Sequence, residues 1–145
     1  MRLVVQRVAH ASVQVLKAEV GNIDEGLLVY LGISNSSKLE DIDKYVKKLV
    51  NLRIFSDRDD KMNLSVKDVG GAILLVSQFT LYGSVKRGNR PSFTEALHPS
   101  ESEPFYNMFV SKLREEISVA TGIFGANMQV SSVNDGPVTI IIENL

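Results

Sequence analysis

Cysteine is absent from the 145-residue chain. That excludes disulfides, a thiolate nucleophile and any cysteine-held zinc, and it fits a reducing compartment. Histidine is nearly as scarce. Only His10 and His98 occur, and no HxH, HxxxH or HExxH spacing joins them. The acidic cluster DRDD (57–60) lacks the glutamate and the ligand spacing of a calcium loop, so it reads as a solvated turn. There is no GxxxxGK[ST] phosphate loop, and GGAILL (70–75) enters a strand rather than a helix. No apolar run approaches the ~20 residues of a membrane span, and the opening MRLVVQRVAHASVQV, with Arg2 and Arg7 early, is not a signal peptide. Excess positive charge is missing too. At a net charge of −1, a nucleic-acid partner would have to be held by a local basic patch. These absences describe a soluble, cytoplasmic chain that calls for no metal and no cofactor.

What is present suits one domain over residues 1–145. Hydrophobic residues make up 44% of the chain, and a domain of this length buries roughly 70% of its unfolded surface, enough for a core. Residues 2–8 and 12–16 are short and β-branched, which predicts two strands joined tightly through Ala9-His10-Ala11. GLLVYLGI (26–33) suits a strand buried on both faces. Leu39, Ile42, Val46, Leu49 and Val50 then fall at helical spacing and predict a helix over about 38–51, with Ser37 and Glu40 as a capping box. Lys44, Lys47 and Lys48 lie toward its end, where the helix dipole favours cations. LRIFSD (52–57) reads as a short strand and GGAILLVSQFTL (70–81) as the strongest strand in the chain. Phe105, Phe109, Leu113 and Ile117 recur every four residues and predict a second helix starting near 100–104. Pro104 would sit in its first turn and Gly122 would be its C-cap. Two closing strands, 127–134 and 137–143, flank a turn. The expected fold is α+β: a mostly antiparallel sheet or partly closed β-barrel with two packed helices.

The candidate chemistry is concentrated in three segments. Glu115-Glu116 point in different directions on a helix, and Glu101 and Glu103 serve a helix dipole, so neither pair reads as an acid–base couple. In SQFTL (77–81), by contrast, Ser77, Gln78 and Thr80 flank Phe79 at the end of an apolar strand. A strand emerging into solvent explains one hydroxyl there, but less well all three polar residues ahead of a basic loop. A strand end of this kind can offer backbone N–H groups to a substrate oxygen and stabilise an oxyanion without an acidic or basic side chain. Thr80 as a nucleophile would need an activating base, and no histidine is near it in sequence. The loop VKRGNRPSF (85–93) carries Lys86, Arg87 and Arg90. It is open to two readings, a solvated charge cluster or a contact for an RNA backbone, with Phe93 anchoring the loop or stacking on a base. NDGPVT (134–139) reads locally as a turn, and the Gly136-Pro137 bond could be cis.

In their order and spacing, QRV..ASV, GLLVYLGI, RIFSD...KMNLSV, SQFTL, RGNRPSF and FGANMQVSSVNDGPVT together resemble the D-aminoacyl-tRNA deacylase (D-tyrosyl-tRNA deacylase) family, across essentially the whole chain. The resemblance implies hydrolysis of the ester joining a D-amino acid, or glycine mischarged on tRNA-Ala, to the 3′-terminal adenosine of tRNA. It implies a homodimer in which a cis Gly136-Pro137 motif from one subunit enters the other's pocket and, with Met128, selects chirality. It places Ser77, Gln78, Phe79 and Thr80 in that same pocket. Catalysis would use main-chain groups and the substrate's own 2′-OH, with Thr80 as the alternative nucleophile, and Lys86, Arg87 and Arg90 would meet the RNA. A rigid backbone filter suits such a task, since it can accept many side chains while rejecting one chirality by steric clash. A non-catalytic tRNA-binding module, or an interaction protein in which Gly136-Pro137 is only a turn, are the other readings of the same residues.

Overall fold

The computed structural model describes residues 1–145. Its eight strands are β1 (Arg2–Val15), β2 (Ala18–Ile23), β3 (Gly26–Gly32), β4 (Phe55–Ser56), β5 (Met62–Leu64), β6 (Ala72–Ser77), β7 (Val119–Thr121) and β8 (Gln129–Glu143). The helices are α1 (Ile42–Val50) and α2 (Pro99–Arg114). The principal sheet runs β2-β1-β3-β6-β7, with β8 added alongside β1, while β4 and β5 form a separate ribbon.

The sheet is mixed. β1 is antiparallel to β2, β3 and β8, whereas β3, β6 and β7 run parallel through helical crossovers. Curvature nearly closes it into a barrel. At Gly21 in β2 an added Cβ would run into the Thr121 carbonyl of β7, so the absent side chain lets the two ends of the sheet meet. Alternation along β3 and β6 divides the interior. Leu27, Val29, Leu31, Ile73 and Leu75 join the large cluster under α1 and α2, and Leu28, Leu74 and Val76 join the smaller one inside the barrel. The doubly buried reading of 26–33 therefore holds. No helix is long and apolar enough to cross a membrane.

Several local expectations are corrected. Residues 2–16 are not a hairpin. β1 runs unbroken through Ala9-His10-Ala11, because β8 pairs along its whole length and absorbs the irregularity as register shifts at Gln6/Val8 and Val8/His10. Such bulges let one strand bend around a barrel corner: its first half pairs β3 and its second half β2. The Ser37–Glu40 capping box does not form. Ser37 Oγ instead accepts from the Met1 ammonium (2.8 Å) and the Ser34 N–H (3.0 Å), and a 3₁₀ turn, Leu39–Asp41, leads into α1. The strand read over 70–81 ends at Ser77, and Phe79–Tyr82 form a second 3₁₀ turn.

α2 begins at Pro99, so Pro104 lies inside it and beyond its first turn. It is tolerated on an exposed face, where the Ser100 carbonyl it leaves free can meet water. The helix ends at Arg114, not near Gly122. Ile117 lies beyond it, and Ala120 belongs to β7, a strand too short to show a period. The two closing strands are the single strand β8. Gly136-Pro137 is therefore a bulge within a strand rather than a turn between two.

Candidate active site

β3 and β6 run parallel and stop together. Beyond their carboxyl ends a cavity of about 810 Å³ opens among Leu31, Ile33, Val76, Ser77, Gln78 and Phe79. Ligands commonly bind outside the carboxyl ends of parallel strands, and the volume suits a ligand of drug size. Its far walls are the segment Phe93–Ser102 and the run Phe124–Met128.

At the mouth the apolar period of β6 gives way to polar groups. The Gln78 N–H donates to the Leu31 carbonyl (2.9 Å), which fixes the turn where the two strands end. The 3₁₀ turn that follows has no side-chain cap. The first N–H groups of any helical turn lack partners within it, so those opening this turn are the donors the site can offer. Gln78 Nε2 donates to Thr80 Oγ1, the one side-chain hydrogen bond of that hydroxyl. An amide is no base, and Thr80 itself lies outside the cavity lining. His98 does line it. Its Nδ1 accepts from the Ser100 N–H (3.3 Å) and meets Ser100 Oγ (2.8 Å), capping α2. That leaves Nε2 as the protonated nitrogen of the neutral ring.

The Gly136-Pro137 peptide is cis, and both residues are exposed. Gln6 pairs with Thr139 and Val8 with Asn134, so four residues, 135–138, bulge opposite Arg7 alone. Two side chains hold that bulge. Arg7 Nε donates to the Asp135 carbonyl (3.0 Å) while its Nη1 donates to the Ile54 carbonyl (2.7 Å). Asn134 Oδ1 accepts from the Val138 N–H (3.0 Å), standing in for a lost ladder bond.

With this geometry in view, a model of the D-Tyr-tRNA(Tyr) deacylase family matches residues 4–143. The chain belongs to that family. It is accordingly a hydrolase that acts on D-aminoacyl-tRNA. A solved structure of a protein described as a c-Myc DNA unwinding element binding protein is 43% identical, with a TM-score of 0.94 over 100% of this chain and 99% of the other. A probable eukaryotic D-amino acid tRNA deacylase is 18% identical, with a TM-score of 0.84 over 97% of each chain, and shares the nearly closed barrel and two helices.

In this deacylase the structure brings Ser77, Gln78, Phe79 and Met128 to one cavity. Thr80 stands beside its mouth, joined through Gln78. Gly136 and Pro137 lie outside the cavity of their own chain. Lys86, Arg87 and Arg90 are exposed on the 84–92 hairpin closed by the Ser84–Ser92 bridge. Of the cavity's far walls, the sequence singled out only Phe93 and Met128. His98 carries a local signal, since a residue capping a helix that opens on proline is a readable start. The approach of Phe124–Met128 has no local signal, since it depends on β7 and β8 closing the barrel.

Proposed function

We propose that the cavity beyond β3 and β6 binds the aminoacylated 3′-adenosine of tRNA, and that its ester is hydrolysed when the amino acid is D or glycine and spared when it is L. The observation that carries this reading is the polar strand end, Ser77 to Phe79, opening an uncapped turn at the mouth of a mostly apolar cavity. An aminoacyl ester is already activated. N–H donors aimed at its developing oxyanion, together with water and the substrate's 2′-OH, are enough to accelerate its hydrolysis. Glycyl-tRNA mischarged on tRNA-Ala would pass the same filter, because glycine offers no side chain to reject. Thr80 hydroxyl chemistry is disfavoured, since its one side-chain hydrogen bond is to the Gln78 amide.

Chirality, on this reading, is read by the backbone of Gly136-Pro137 lent by a second copy of the chain, with Met128 beside it. Both residues are exposed on a propped bulge and do not line the cavity of their own subunit. Carbonyls of such a bulge would hold the α-amino group and turn an L side chain into main chain. Lys86, Arg87 and Arg90 meet the RNA backbone.

The test compares D-tyrosyl-tRNA, L-tyrosyl-tRNA and glycyl-tRNA with purified enzyme. Release of the D and glycyl esters with retention of the L ester is expected. Intact D-tyrosyl-tRNA at enzyme concentrations near that of substrate would sink the reading. Salt-sensitive tRNA binding without hydrolysis would replace it with a binding module.

A further inference from the structure

Phe79 and Phe93 stand together at the cavity rim, ring centroids 5.1 Å apart and edge to face at 69°. Both remain in water, at 58% and 38% exposure. Phe93 is nonetheless well held. A Cβ at Gly83 would lie 2.9 Å from its Cε1, so the ring rests on bare backbone. The Ser84–Ser92 bridge, with N–H···O distances of 2.8 and 2.9 Å, fixes the chain before it, and the Ala96 N–H fixes its carbonyl at 3.0 Å. The hairpin closed by that bridge carries Lys86, Arg87 and Arg90, and none of the three is in an ion pair. A fixed aromatic face next to unpaired cations is the combination that binds single-stranded nucleic acid, by stacking on bases and neutralising phosphates.

We propose that Phe93 is a stacking platform for the base that precedes the terminal adenosine of the acceptor end, with the hairpin cations on the flanking phosphates. The inference rests on the cavity being the aminoacyl-ester site. If aminoacyl-adenosine occupies the cavity, the base at its rim belongs to the next nucleotide. Paired bases of a stem present no free face, so the platform takes only the unpaired end.

The test measures steady-state hydrolysis of D-aminoacyl-tRNA and of D-aminoacyl-adenosine by wild type, Phe93→Leu and Phe93→Tyr. Phe93→Leu is expected to raise KM on tRNA about 5- to 150-fold with kcat largely kept, and the aromatic Phe93→Tyr to restore it. The KM penalty should be much smaller on D-aminoacyl-adenosine. Equal penalties on both substrates, or a fall in kcat instead of KM, would show Phe93 acting through Phe79 and overturn the proposal. So would a Phe93→Leu enzyme equal to wild type. The chain has no tryptophan, so Phe93→Trp places one fluorophore at the rim and serves if the leucine variant fails to fold. Quenching by a CCA trinucleotide is expected. Unchanged emission, or stronger quenching by single-stranded DNA of the same sequence, overturns the assignment. Wild-type turnover of both substrates in the same series reports separately whether the protein has the proposed ester-hydrolysing activity.

Discussion

Thr80 has a hydroxyl at the mouth of the site, yet its side-chain partner is an amide. A hydroxyl nucleophile needs a base to take its proton, and neither His10 nor His98 bonds to it. Thr80→Ala is therefore expected to keep kcat within about tenfold of wild type, whereas loss of a true nucleophile costs orders of magnitude more. Single-turnover hydrolysis of D-tyrosyl-tRNA decides. Tyr106 shows what burial does to one group. Its hydroxyl donates to the Leu75 carbonyl at 2.9 Å, and burial pushes its phenol from 10.0 up to about 12. Between those values the folded chain keeps a proton that the unfolded chain has lost, so stability falls as pH rises through that window. Tyr106→Phe should flatten the alkaline loss while costing about 1 kcal/mol near neutrality through the missing hydrogen bond. Urea titrations at pH 8 and pH 11 would show both effects, and an unchanged alkaline slope would refute the assignment.

Among the elements, those with strong local periods were legible. β3 and α1 lie close to where a doubly buried apolar run and the 3.6-residue period put them. Failures came where neighbours outrank local preference. Ala9-His10-Ala11 has the look of a turn, but pairing with β8 carries β1 straight through it. Asn134-Asp135-Gly136-Pro137 is a strong turn signal, yet Arg7 and Asn134 hold it as a bulge inside one strand. β7, three residues long, shows no period and exists because β6 offers it a parallel edge. Closure of the barrel depends on Gly21, where a methyl group would strike the Thr121 carbonyl. Gly21→Ala is expected to cost about 1–3 kcal/mol as an overpacked contact. The measurement is the urea midpoint at constant slope. An unshifted midpoint would mean that β2 and β7 separate freely.

For the molecule as a whole, the notable fact is separation. Ser77–Phe79 line the cavity, while Gly136-Pro137 are exposed on β8 outside it. β8 pairs only with β1 and leaves its other edge open, with Val133 and Ile141 exposed. Under the two-subunit reading, two defective variants should complement one another. Ala126→Trp blocks the cavity but leaves the bulge. Gly136→Val, at a φ of 135° where a side chain also meets Val138 and Arg7, spoils the bulge but leaves the cavity. Co-refolded in equal amounts, they are expected to recover about a quarter of wild-type activity, since half the dimers are mixed and each holds one complete site. No recovery, with mixed dimers demonstrated by mass, would show that each chain works alone.

The sequence by itself determined the parts that depend on near neighbours. These are the α+β class, the buried strand 26–33, the polar end of the 72–77 strand, the basic loop, and the motifs that mark the deacylase family. Periodicity and residue chemistry are local, so they can be read in one dimension. Only the tertiary structure decided that residues 2–15 form one strand, that the 93–102 segment walls the cavity, and that Gly136-Pro137 lie outside it. Those outcomes are set by pairings between residues far apart in the chain, as Gln6 with Thr139 and Ile33 with Leu97. Which partner such a residue finds is settled by how the whole chain closes, not by its own preference.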